Sequence, residues 1–221
     1  MLSLVMIGAT GAVGNQVAAK LMGVRSVEKL TLLGRRPLAA GSADFLHQHS
    51  VDLFDSSSYR TFLPGHRVAI CTLGVGQPSK VSREEFVKVD KVTVLEFASA
   101  CKAAGVEHFQ LLSSVDANAK SKSFYLRTKG ELEDGLKELA FERLSLFHPS
   151  MILTPQNRYG LSQGLMLHVW PHLNFVLAGS LRKYRGIEVD ALGRAIALNA
   201  LKPGPAFEVL CWDEITALSK M

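Results

Sequence analysis

Short apolar runs rich in β-branched residues alternate with longer segments whose apolar residues recur every three or four positions, the pattern of βαβ units around a parallel sheet. It predicts strands at Leu2–Ile7, Lys29–Leu33, Ser50–Val51, Arg67–Thr72, His108–Ser113, Leu144–His148 and Phe207–Leu210. Helices are expected at Val13–Met22, at the short hydroxyl-capped stretch Ser56–Phe62, at Glu84–Ala104 and at Phe124–Leu139. In the third of these, Phe86, Val89, Val92, Leu95, Phe97 and Ala98 mark the apolar face and Gly105 the stop. Leu192, Ala195, Ile196 and Leu198–Leu201 trace another apolar face, closed by Pro203-Gly204-Pro205. Right-handed crossovers put such helices on both faces of a twisted sheet, so the expected fold is a doubly wound, mostly parallel α/β Rossmann domain. No repeat, low-complexity tract or Pro/Gly/Ser-rich linker divides the chain, and residues 1–221 read as one domain. Periodicity weakens from Thr154 to Arg185, where one helix is expected at Gly160–Val169 and the segment is expected to cover the substrate.

With 221 residues, 48% hydrophobic and 20% charged, the chain can bury a full core, which excludes a disordered regulator. Ser3, Lys20, Arg25 and Glu28 interrupt the early apolar runs before any reaches bilayer length, so no membrane span is expected. The first run lacks a basic flank and ends in glycines, unlike a signal peptide. The three cysteines, Cys71, Cys101 and Cys211, lack zinc or disulfide spacing, which suggests a reducing cytoplasm. A net charge of +5 suits either nucleic acid or a phosphorylated cofactor.

Directly after the first strand, Gly8-Ala9-Thr10-Gly11-Ala12-Val13-Gly14 forms a Gly-x-x-Gly-x-x-Gly turn that opens a helix. Glycines there permit a tight turn, close approach of a pyrophosphate and close helix–strand packing, while the helix N-terminus supplies free N–H groups. At the end of the second strand an acidic residue suits the ribose 2′-hydroxyl of NAD, whereas arginine suits a 2′-phosphate. Arg35 and Arg36 stand there, so NADP(H) is favoured over NAD(H). Weaker candidates flank the same cofactor: Asp52 and Leu53 beside the adenine, and Thr72, Leu73 and Gly74 beside the adenosine ribose.

Tyr125 and Lys129 lie four residues apart at the start of a predicted helix and project from one face. A free tyrosine has a pKa of about 10, so proton transfer near neutrality needs a nearby cation to favour the phenolate, which Lys129 can supply. Ser113 and Ser114 end the preceding strand, where a hydroxyl can polarise a carbonyl as hydride arrives.

Glycine turn, Ser-Ser at a strand end and Tyr-x-x-x-Lys together resemble the short-chain dehydrogenase/reductase superfamily. More narrowly, GATGAVG, LLGRRP, CTLG, LLSSVDANAKSKSFYLRTKGELE and HPSMILTPQNR are similar to the atypical members around the Tat-interactive protein 2 oxidoreductase family, over nearly the whole chain. The resemblance implies that Tyr125 is the general acid/base, that Lys129 binds the nicotinamide ribose and lowers the tyrosine pKa, and that Ser114, ahead of Ser113, orients the carbonyl. It implies too that His148-Pro149-Ser150-Met151-Ile152 packs along the nicotinamide, with Pro149 and Ile152 in contact, and that Arg158 reaches the cofactor. Asp90 departs from the superfamily, which commonly carries an asparagine on the middle helix in support of a proton relay.

Other residues carry less chemistry. His47, His49 and His66 lack partners at metal-ligand spacing and read as loop histidines, so no metal is expected. His168, Trp170 and His172 line either a substrate pocket or a packed helix end, and Arg182, Lys183 and Arg185 form a small basic cluster. The leading expectation is an NADP(H)-dependent oxidoreductase of a small-molecule carbonyl or alcohol. A cofactor-binding regulator or redox sensor with little turnover is the alternative, and nucleic acid ranks last for want of a binding module. The helical faces allow a homodimer or another protein partner.

Overall fold

The computed structural model describes residues 2–39, 43–154 and 177–221. Strands β1 (Leu2–Ile7), β2 (Val27–Gly34), β3 (Leu46–Ser50), β4 (Val68–Cys71), β5 (His108–Leu112), β6 (Arg143–Phe147) and β9 (Phe207–Leu210) form one parallel seven-stranded sheet in the order β3-β2-β1-β4-β5-β6-β9. The direction of strand succession reverses beside β1, where such folds open a crevice for ligands at the carboxyl ends of the strands. A two-stranded parallel pair, β7 (Ile152–Leu153) with β8 (Ile187–Glu188), lies apart from this sheet and was not foreseen from the sequence, since two residues carry no periodicity.

Because alternate strand residues face opposite sides, β1 supplies two cores at once. Leu4 and Met6 pack with helices α1 (Ala12–Met22), α5 (Val189–Ala200) and α6 (Trp212–Ser219) through Val17, Leu192, Ile196 and Ile215. Val5 and Ile7 face the other layer, where α3 (Thr93–Ala103) and α4 (Phe124–Glu138) contribute Phe97, Leu132 and Leu136 against Phe109 of β5. Both sheet faces are thereby covered, the condition under which purely parallel sheets occur.

Three expectations need correction. The stretch Ser56–Phe62 is not one hydroxyl-capped helix but two 3-10 turns, Ser56–Ser58 and Arg60–Phe62, the first capped by the Asp55 carboxylate. The third strand is not Ser50–Val51 but Leu46–Ser50: its sequence, LHQHS, is polar because it is a half-exposed sheet edge, so the apolar criterion missed it. His47 and His49 belong to this strand rather than to a loop, and His66 is a buried residue bonded to Thr31 Oγ1 at 2.8 Å and the Leu63 carbonyl at 2.9 Å. The long helix expected at Glu84–Ala104 begins as α2 (Arg83–Val87) under a Ser82 cap, passes through a π-helical turn at Lys88–Val92 and continues as α3. That wider turn rotates the buried face. Val92, expected inside, is 41% exposed, while Asp90, Thr93 and Val94 are buried.

Candidate functional site

Gly8 adopts φ +85°, and its N-terminal neighbour Ile7 and the Thr72 hydroxyl are joined by a 3.3 Å hydrogen bond that pins the turn to the end of β4. A Cβ on Gly14 would lie 2.1 Å from the Gly8 carbonyl oxygen, so the helix can approach the turn this closely only without a side chain. Gly11 caps α1 with backbone alone, no acidic residue occupies the first turn, and the leading N–H groups are left for an anion. Val13 is buried in the core behind this turn, Ala12 is half-buried, and Thr10 is exposed at its tip.

From the turn a cavity runs toward β2 and β3, lined by Gly8, Thr10, Arg35, Arg36, Leu53 and Leu73 among others, with His49 and Gln48 on the β3 side. Arg35 and Arg36 are exposed at its rim. Asp52 is exposed next to this wall, and its Oδ1 accepts the Phe54 N–H at 2.9 Å, an intraloop contact. The cradle therefore fits a dinucleotide: a backbone anion site at the helix start, with two guanidinium groups at the rim of the adjoining cavity.

Tyr125 and Lys129 stand on α4, and Ser113 and Ser114 directly follow β5. Lys129 is buried on α4, and its Nζ pairs with Asp90 Oδ1 at 2.7 Å. Asp90 Oδ2 accepts the Val75 N–H at 2.8 Å, and Gly74 packs against the same carboxylate. Burial opposes the ammonium charge of Lys129, yet Asp90 and Tyr125 outweigh it and hold its pKa above the ordinary lysine value. Tyr125 is half-buried, its ring 5.6 Å from that of Phe86. The two serines separate: the Ser113 hydroxyl is committed to the buried carboxylate of Glu133, whereas Ser114 Oγ makes only a 3.4 Å contact with the Val115 carbonyl.

Pro149 is buried and accepts the Val115 N–H through its carbonyl at 3.0 Å, which brings the segment after β6 alongside Ser114. Ile152 is half-buried in β7. Arg158, the expected helix at Gly160–Val169 and the candidates His168, Trp170 and His172 lie outside the described residues. Arg182 pairs with Asp213, and Lys183 pairs with Asp116 at 2.6 Å, so these members of the basic cluster serve intramolecular contacts. Among the described residues no group of ligating side chains could hold a metal, and no helix is long and apolar enough to cross a membrane.

Glu133 and Asp116 escaped the sequence reading. Asp116, at φ +60°, also accepts the Tyr184 hydroxyl at 2.6 Å, joining the loop after β5 to a segment 67 and 68 residues later. For Glu133 a sequence cue did exist: it continues the four-residue spacing of Tyr125 and Lys129 along one helix face.

A family model described as NAD(P)H-binding matches residues 8–142. Protein HTATIP2 of Rattus norvegicus is 37% identical over 153 residues, a match covering 68% of this chain and 63%, less than two thirds, of the rat protein. A protein of Emericella nidulans named "fmp52, mitochondrial" is 34% identical over 205 residues, 90% of this chain and 87% of that one. Among solved structures, MoeE5 in complex with UDP-glucuronic acid and NAD superposes with a TM-score of 0.71 at 18% identity, covering 98% of this chain and 81% of that chain, a likeness of fold. The expected cytoplasmic location is overturned by the relatives, several of which are named mitochondrial. Free cysteines do not single out the cytoplasm.

Proposed function

The chain belongs to the NAD(P)H-binding family, and from that premise we propose that it is an NADP(H)-dependent oxidoreductase interconverting a small-molecule carbonyl and its alcohol. The observation that carries this reading is the placement of Tyr125 and the buried Lys129 on one face of α4, where the two are electrostatically coupled.

In this reading the Gly8–Gly14 turn and the start of α1 hold the pyrophosphate, and Arg35 and Arg36 hold the 2′-phosphate bidentately. A reduced nicotinamide held there would supply the hydride for the carbonyl carbon. Ser114 donates a hydrogen bond to the carbonyl oxygen, and Tyr125 passes its phenolic proton to that oxygen as the alcohol forms. Lys129 faces the resulting phenolate with its ammonium, which electrostatic coupling to Tyr125 already favours. In the oxidising direction Tyr125 takes the proton back.

Titration of the purified protein with NADPH and NADH tests the cofactor. Preference for NADPH that disappears in the Arg35→Ala, Arg36→Ala double variant supports the reading, and no binding of any dinucleotide refutes it. A carbonyl panel follows, with Tyr125→Phe expected to lose turnover by about a hundredfold or more while still binding NADPH.

A further inference from the structure

Glu133 stands on α4 one turn beyond Lys129 and two beyond Tyr125, on the same face. Its Oε1 accepts the Ser113 hydroxyl and His148 Nε2, the latter at 2.8 Å, and all three side chains are buried. Ser113 directly follows β5 and His148 directly follows β6, so one carboxylate oxygen ties the helix to two strand ends. The backbone continues the pairing there: the Ser113 N–H donates to the Phe147 carbonyl at 2.8 Å and the Val115 N–H to the Pro149 carbonyl at 3.0 Å. Ser114 sits between these two rungs, with Ser113 turned toward Glu133.

An apolar side chain would press the helix on the sheet at lower desolvation cost. What the carboxylate adds is direction, because its two donors fix the height and rotation of both strand ends against α4. We infer that Glu133 is a positioning residue: through Ser113 and His148 it sets Ser114 and the His148-Pro149-Ser150 turn against Tyr125 and Lys129. This assignment rests on the dinucleotide reading above and concerns one half of the cofactor. Arg35 and Arg36 lie at the end of β2, on one side of the glycine turn, so the nicotinamide half falls over the ends of β4, β5 and β6, where Glu133 acts.

NADPH and 2′-phospho-ADP-ribose, which lacks the nicotinamide, separate the two halves. In the full chain, Glu133→Met is expected to weaken NADPH about tenfold and to leave 2′-phospho-ADP-ribose within about twofold of wild type. Glu133→Gln, whose amide oxygen can still accept from both partners, should bring NADPH back to within about threefold. Ser113→Ala, a milder change, should weaken NADPH alone by about threefold and decides the matter if Glu133→Met does not fold. Equal weakening of both ligands, or lowered thermal stability with both affinities unchanged, overturns the assignment and leaves Glu133 a packing residue. A wild type that binds neither ligand defeats the dinucleotide reading and this assignment with it, a result distinct from intact wild-type binding that the variants fail to shift.

Discussion

Lys129 Nζ lies 2.7 Å from Asp90 Oδ1, and both side chains are almost completely withdrawn from water. The π-helical turn at Lys88–Val92 makes this pair, since it rotates Asp90 inward on a helix whose regular spacing would have buried other positions. Such turns concentrate at functional sites, and here the turn places a fixed negative charge behind the lysine that faces Tyr125. The ammonium is thereby held directly, without an intervening asparagine.

Removing one partner of a buried pair leaves the other charge uncompensated. Asp90→Asn is expected to lower unfolding free energy by about 3 kcal/mol at pH 7, read as a reduced urea midpoint. The pH dependence follows from the raised Lys129 pKa. Its stabilising contribution is complete below the unfolded lysine value of about 10.4 and fades as pH rises through the folded value. The stability difference between wild type and an Asp90→Asn, Lys129→Met double variant should therefore move against wild type at strongly alkaline pH. A constant difference from pH 8 to pH 12 would contradict this.

Gly14→Ala places a methyl group 2.1 Å from the Gly8 carbonyl oxygen, a contact only a backbone shift can relieve. The variant should lose about 1–3 kcal/mol of stability and bind NADPH far more weakly than wild type. Calorimetric melting and ligand titration on the same preparation check both effects, and unaltered binding would show that the turn tolerates displacement.

His108 responds to acid. Burial chiefly, assisted by Arg143 and opposed by Glu208, lowers its pKa to about 3. The unfolded chain then takes up a proton near pH 6.5 that the folded protein refuses, so stability falls as pH drops from about 6.5 toward 3. The loss attributable to this histidine should reach about 3 kcal/mol by pH 4. His108→Gln should flatten this part of the stability profile, measured by denaturant unfolding at successive pH values.

Thiol reactivity should be ordered by burial. Desolvation pushes Cys71 up to about 12 and Cys101 well above its ordinary value, and both are fully buried. Cys211 is raised too, by partial burial and then Glu214, but remains partly accessible. Iodoacetamide at pH 8 should label Cys211 first in the native protein and the other two only on unfolding. Early labelling of Cys71, read by peptide mass spectrometry, would reveal local opening at the end of β4.

The parallel sheet was legible because β1, β4, β5 and β6 are largely buried and mostly apolar, and because the glycine turn and the Tyr125–Lys129 spacing are local. β3 was misplaced because an edge strand need not be apolar, and the π turn was invisible because one shifted register leaves composition unchanged. The division of labour between Ser113 and Ser114 depends on which side of the strand end meets α4. Beyond its helical spacing, what Glu133 binds shows only when the residues after β5 and β6, 20 and 15 residues away in the chain, close around it.

The packing of α1 on α5 has a consequence for how the protein comes into being. Gly193 of α5 lies so close to α1 that a methyl group there would stand 2.3 Å from the Gln16 Cβ, and Leu192, Ile196 and Ile215 complete the core that Val17 enters. During synthesis, a chain that has emerged only as far as β6 has the glycine turn but no roof over the helix behind it. Dinucleotide competence is then a late event, reached when α5 and α6 leave the ribosome, and premature termination between β6 and α5 yields an aggregation-prone half-sandwich rather than a smaller binding domain.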